Sequence, residues 1–286
     1  MQTLREVINE HRLAHKALGH FNFSDSNQLK AIAEASRQTG LPVVAGLSEG
    51  EREYFPLLHA RALADLYQQE GVQLYLNADH TYSVAKAKAA IDAGVDSIVV
   101  DGAKLSFEEN AAMTKEIVVY TRASGRDVLV EGELGYIGTS SKVMDALPDG
   151  AAATEAMMTT PGDAKKFVEA TDIDAFAPAV GNVHGMVKGG NPKLNIERIA
   201  AIAQAVAVPL VLHGGSGVTD GEFKAAVKAG ISLIHINTEF RVLYRQEIER
   251  SFTDKPDEVA PYKLLAPVEA KLTDFLAGRM RLFAGE

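Results

Sequence analysis

Three of the eight histidines stand at one recurring place, just past a short apolar run. His80 follows VQLYLNAD, His184 follows AFAPAVGNV and His213 follows PLVL. Carboxylates occupy the same kind of position: Asp79 beside His80, Asp101 after DSIVV, and Glu133 within VLVEGEL. Asn22, Ser48 and Asn237 also end apolar runs, and His20 and His235 lie within two more. A lone histidine at such a point is ordinarily a hydrogen-bonded polar residue. Three imidazoles converging on one mouth suit a catalytic Zn²⁺, which takes three protein ligands and keeps a position open for substrate or water. Asp79 beside that ion is a candidate proton donor or acceptor. Asp101 and Glu133 are candidates to orient the ligands or to form a secondary cation site.

A second feature suits an anion. HGGSGVTDGEF runs from an apolar segment into a helical one, and its glycines let backbone N–H groups turn inward at a helix N-terminus. NTEF at 237–240 repeats the arrangement. Gly214, Gly215, Ser216, Asn237 and Thr238 are therefore candidates to hold a phosphate.

The elements that must position these residues are legible as eight short runs. They cover 17–23, 42–48, 72–80, 96–102, 128–135, 175–182, 209–215 and 233–238. Helix-patterned segments such as SNQLKAIAEASRQTG and SVAKAKAAIDAG separate most of them, and most stop at Gly40, Gly71, Gly94, Gly125 or Gly230. Strands alternating with helices mean βαβ units and a parallel sheet. Eight units predict a (β/α)8 TIM barrel spanning 1–286 as one domain, with the active site at the C-terminal ends of the strands. An open doubly wound sheet would want a Gly-rich turn after the first strand, and that turn is FNFSDSN. Residues 136–160 form a long loop after the fifth strand, and an extra amphipathic helix begins at Pro261. Adjacent residues of a strand face opposite ways, so Asp79 and His80 reach one site only if the strand breaks between them.

Composition narrows the chemistry. With no Cys, thiolate metal sites and thiol nucleophiles are excluded, and any metal rests on His and carboxylates. The net charge of −9 and the lack of a basic block argue against nucleic acid. No apolar run reaches the ~18 residues of a membrane span. The N-terminal MQTLREVINEHRLAHKAL lacks the apolar centre of a signal peptide, so a cytoplasmic protein is expected.

LNADH (76–80), VVDGAKLSFEEN (99–110), VEGELGYIG (130–138), AVGNVHGMVKGGNPKLNIERI (179–199), VLHGGSGV (211–218) and INTEFR (236–241) carry a resemblance over about residues 1–250. In order and spacing they resemble the class II, metal-dependent ketose-bisphosphate aldolases, which act on fructose and tagatose bisphosphates. The resemblance implies that His80, His184 and His213 hold Zn²⁺, with Asp101 and Glu133 as acids near the metal. It implies that Asp79 handles the C4 hydroxyl proton as the C3–C4 bond breaks. Gly185, Gly214, Ser216 and Thr238 would grip the phosphate of dihydroxyacetone phosphate, with Gly215, Asn237 and Lys188 added to that set. Asn22 and Ser48 match positions that face substrate. Backbone carbonyls near Gly185 and His213 would hold a monovalent cation, Na⁺ or K⁺, and a homodimer or homotetramer is expected.

The chain departs from that family at four places. Asn77 replaces a His two residues before Asp-His. His235 replaces the Asn that steadies the enediolate, and is a candidate donor or extra ligand. Tyr136 replaces an Arg. The loop at 136–160 lacks the usual acidic cluster, leaving Asp145, Asp149 and Glu155 as candidates for the C3 proton. Two alternatives stay open: an aldolase for a different or modified sugar phosphate, and a sugar-phosphate-binding protein without turnover. A Schiff-base aldolase needs a Lys inside a strand, and the eight runs place none there.

Overall fold

Each of the eight runs is a strand in the computed structural model, which describes every residue except Met1, Ser140, Pro148, Ala152 and Ala153. We number them β1 (Leu18–Asn22), β2 (Val43–Leu47), β3 (Leu74–Thr81), β4 (Ser97–Val100), β5 (Leu129–Leu134), β6 (Ala175–Pro178), β7 (Leu210–Leu212) and β8 (Ile231–Ile236). They close a parallel barrel in which β8 pairs with β1, so the TIM-barrel expectation holds. The helices that follow them are α2 (Ser26–Thr39), α3 (Glu49–Tyr54) with α4 (Leu57–Gln69), α5 (Val84–Asp92), α6 (Phe107–Ala123), α7 (Pro161–Thr171), α8 (Ile196–Ala205), α9 (Asp220–Ala229) and α10 (Thr238–Asp254). Asp25, Ser83, Ser106, Thr160, Asn195 and Thr219 cap six of these with side-chain acceptors, which fixes where each strand's loop ends.

The barrel interior is built in layers, because every second residue of a strand points inward. The lowest layer is apolar: Leu18, Val44, Tyr75, Leu129, Val211 and Leu233 pack together. Helix α1 (Leu4–Leu13) seals that end with Leu4, Val7 and Ile8. Two residues further along the same strands the layer turns polar, with His20, Asn77, Glu131, His213 and His235. Two further still stand Asn22, Asp79 and Glu133. An apolar plug below and helices around thus leave the polar layers open only at the strands' C-terminal end.

The C-terminal helix α11 (Pro261–Phe283) packs on α2 and α10 and buries Val268, Leu272, Leu276, Met280 and Phe283. In the 136–160 segment, Val143–Met144 pairs with Met186–Val187 as a two-residue sheet, and Glu155–Met157 form a 3-10 turn. Among the described residues, no helix is long and apolar enough to cross a membrane.

Candidate active site

The strand break required by Asp79 and His80 is present. His80 takes the left-handed φ of +36°, and the β3–β4 register shifts between Ala78 and Thr81. A non-glycine residue there is strained, and such strain is typical of a functional position. Arg52 from α3 braces the broken end, donating to the carbonyls of Leu47 (2.7 Å) and Asp79 (2.9 Å) and to the Thr81 hydroxyl (3.1 Å). As a result Asp79 and His80 line one cleft together with His184, His213 and His235.

Each of the three expected ligands has one ring nitrogen occupied from behind. His80 Nδ1 donates to Asp101 Oδ2 at 2.9 Å, and Glu133 Oε2 lies 3.5 Å from the same nitrogen. His184 Nδ1 donates to the Gly138 carbonyl at 2.7 Å. His213 Nε2 donates to Glu131 Oε1 at 2.6 Å. The opposite nitrogens are then the ones left to bind, and His80 Nε2 meets His213 Nδ1 at 3.3 Å. Ligand atoms of the three residues lie within 4.8 Å of one another. Such back-side acceptors set tautomer and ring orientation in metal-ligating histidines.

Three further groups bring His, Asp or Glu atoms equally close: His20–Asp79–His235, Glu131–His213–His235 and His80–Asp101–Glu133. Ring geometry separates them from the triad. His80 meets His184 at 87° and His213 at 76°, edge to face, so in-plane lone pairs can converge. His20 and His235 lie parallel at 3.6 Å and 7°, which sets their lone pairs side by side. Asp101 and Glu133 face the nitrogen of His80 turned away from the other two histidines. The donor set His80, His184 and His213 therefore fits one divalent ion of the zinc class, held by nitrogen with a carboxyl group behind two of its rings.

Electrostatics agrees. Burial, then the neighbouring imidazoles, lower His184 and His213 to about 3, so both are neutral and able to ligate. Burial opposes a charge on His80 as well, but Asp79, Asp101 and Glu133 outweigh it and hold its pKa well above the usual value. An incoming cation displaces that proton. Asp79 is buried, which favours the neutral acid, yet His80, His235 and His20 overcome this and keep it well below the ordinary carboxylate range. It is thus an ionised base. Asn22 Nδ2 donates to Asp79 Oδ2 at 2.8 Å and to Glu51 Oε2 at 3.0 Å, while Asp79 Oδ1 has no hydrogen-bond partner among the described residues. Ser48 also donates its hydroxyl to Glu51 Oε2, at 2.8 Å, and Arg241 pairs with the other Glu51 oxygen.

The anion candidates gather on the facing wall. Gly185, Gly214, Ser216, Asn237 and Thr238 line the cleft beside the triad. Gly214 has φ +62°, and a Cβ there would lie 2.3 Å from the Val183 carbonyl oxygen. Ser216 Oγ accepts from the Glu239 N–H at 3.1 Å, which leaves its own O–H to donate. Among the described residues Asn237 Oδ1 and Thr238 Oγ1 are buried without partners, at the start of α10. Gly215 closes the turn, its N–H donating to the His235 carbonyl at 3.0 Å.

Other expected residues stand apart. Lys188 is exposed and paired with Asp145 at 2.7 Å, outside the cleft. Asp145 and Glu155, 87% and 78% exposed, pair with Lys188 and Arg198, and neither they nor Asp149 line the cleft. The carbonyls of Gly185 and His213 each accept one bond, from Asn191 (3.1 Å) and Asn182 (3.0 Å). Glu131 went unnoticed in the sequence. Its signal is the two-residue spacing from Glu133, which puts both on the inner face of β5, and burial raises its pKa to about 8.

A family model described as fructose-bisphosphate aldolase class-II matches residues 2–286. The chain is 32% identical over 285 residues to the fructose-bisphosphate aldolase of Geobacillus stearothermophilus, covering 98% of this chain and 96% of that one. It is likewise 32% identical over 287 residues to the fructose-bisphosphate aldolase of Staphylococcus aureus, with the same coverages. Among solved structures, it resembles the YdjI aldolase from Escherichia coli K12, with TM-score 0.81, 27% identity, and 99% and 97% of the two chains covered. With its barrel and whole-length match, the chain belongs to the class II fructose-bisphosphate aldolase family and is an aldehyde-lyase of that class.

Proposed function

We propose that the protein is a zinc-dependent aldolase that cleaves the C3–C4 bond of a phosphorylated ketose, of the fructose or tagatose 1,6-bisphosphate type, into dihydroxyacetone phosphate and an aldehyde. The observation that carries this reading is the set of three converging imidazoles, each held by an acceptor on its far nitrogen. His80, His184 and His213 hold the ion, and Asp101, Gly138 and Glu131 aim them. When bound, the ion supplies a Lewis acid for the negative charge that cleavage leaves on the three-carbon half.

The chain's own groups do the rest. Gly185, Gly214, Ser216, Asn237 and Thr238 bind the phosphate, so that remote binding energy orients the reacting carbons. Asp79, ionised and fixed by Asn22, takes the C4 hydroxyl proton on Oδ1 while the C3–C4 electron pair stays with the three-carbon half. His235 stands with Nδ1 3.5 Å from that oxygen and steadies the charge developing nearby. In zinc-loaded protein, Asp79→Asn is expected to keep one ion per chain and lose fructose 1,6-bisphosphate cleavage. Undiminished cleavage by that variant contradicts the assignment. A second reading, the same chemistry on another sugar phosphate, is favoured by the bulk of His235 in the cleft.

A further inference from the structure

One buried imidazole lies outside the cleft and touches no reacting group. His20 lies inside β1, fully buried, directly opposite His235 in the pairing of β1 with β8. That register stacks the rings at 3.6 Å and 7°, and the other face of His235 stacks on His213 at 4.1 Å and 27°. His235 is thus a plate between two plates.

His20 is itself firmly placed. Its Nε2 lies 3.1 Å from Asn77 Oδ1, and Asn77 Nδ2 donates to Ser97 Oγ at 2.7 Å. The second bond orients the amide, so Nε2 of His20 carries the proton and donates. Gly46 makes the room, since a Cβ there would lie 2.2 Å from His20 Nε2. His235 has no such anchor. Among the described residues neither of its ring nitrogens has a hydrogen-bond partner, with Asp79 Oδ1 at 3.5 Å and Glu131 Oε2 at 4.0 Å. Stacked rings flank it on two sides, and of these His213 is committed to the triad.

We propose that His20 is a positioning residue for His235: anchored by Asn77 and admitted by Gly46, it holds the His235 ring in the plane that points Nδ1 at Asp79. The inference rests on the reading that His235 acts on the substrate. It makes His20 and His235 one unit.

The test compares His20→Ala, His20→Phe, His235→Asn and the double variant His20→Ala/His235→Asn, all zinc-loaded. Metal per chain and melting curves are measured first, then kcat and KM for fructose 1,6-bisphosphate, and the ring proton resonances of His235. His20→Ala is expected to lower kcat about tenfold to a hundredfold, the range of a small misplacement at a reacting centre. KM and the single bound ion stay unchanged, and the His235 resonances lose the ring-current shift of the missing neighbour. His20→Phe restores the plate and most of kcat. The double variant is no worse than His235→Asn alone. Losses that multiply in the double variant, or wild-type kcat in His20→Ala when His235→Asn is impaired, overturn the proposal. If His235→Asn is itself fully active, the role of His235 fails first and His20 with it. If Phe does not fold, the ring shifts and the double-variant comparison still decide.

Discussion

Replacing Asp101 by Ala removes the acceptor behind His80 without touching a ligand atom. Asp101 accepts from His80 Nδ1 at 2.9 Å and from the Ala103 N–H at 3.1 Å, so it ties the ring to the loop after β4. Loss of such a partner costs about 10–100-fold in metal affinity, which is about 1.4–2.7 kcal/mol. The structure places this case at the lower end. Glu133 Oε2 stands 3.5 Å from the same nitrogen and can take over the proton. Asp101→Ala should therefore weaken zinc about tenfold, and Asp101→Ala/Glu133→Ala about a hundredfold. Competition against a chelator of known affinity reads both numbers, with melting curves to show that the barrel is intact. Zinc affinity within twofold of the parent in the double variant would refute the claim that these acids aim His80.

Gly214→Ala places a Cβ 2.3 Å from the Val183 carbonyl oxygen at φ +62°, so stability should fall by about 1–3 kcal/mol and dihydroxyacetone phosphate should bind more weakly, as chemical denaturation and calorimetry will show. At the other end of the barrel, Asp174 is 5% exposed and accepts from Arg5, Arg122 and the Val130 N–H. Burial opposes its charge but those donors win, so its folded pKa lies below its unfolded one. Its contribution is complete above about pH 4 and is lost as the pH falls through the folded pKa. Asp174→Asn should cost about 2 kcal/mol at pH 7, and the gap to the parent should close below about pH 4 in denaturation curves.

How much of this was legible in the sequence follows from period and spacing. The eight strands announced themselves because apolar runs bounded by capped helices leave few alternatives. The three histidines were legible because each comes late in or after an apolar run, although His80 lies within β3, His213 directly past β7 and His184 further along the loop after β6. Helix α3 was not, since SEGEREY has no apolar face and its helix is held by Glu51, whose partners Asn22 and Arg241 lie far away in sequence. The stacked column of His20, His235 and His213 depends on which strands are neighbours, and only barrel closure puts β1 beside β8. The 136–160 segment named acids without placing them, because their positions depend on the Lys188 and Arg198 pairings.

The proposed reaction at this site is metal-dependent chemistry of the three-carbon half. Zinc-loaded protein is incubated with dihydroxyacetone phosphate in D₂O, and the C3 proton is followed by NMR beside an EDTA-treated sample. Exchange that stops with EDTA and returns with zinc is the predicted result. Exchange that persists without metal, or none at all with one ion bound per chain, would contradict it.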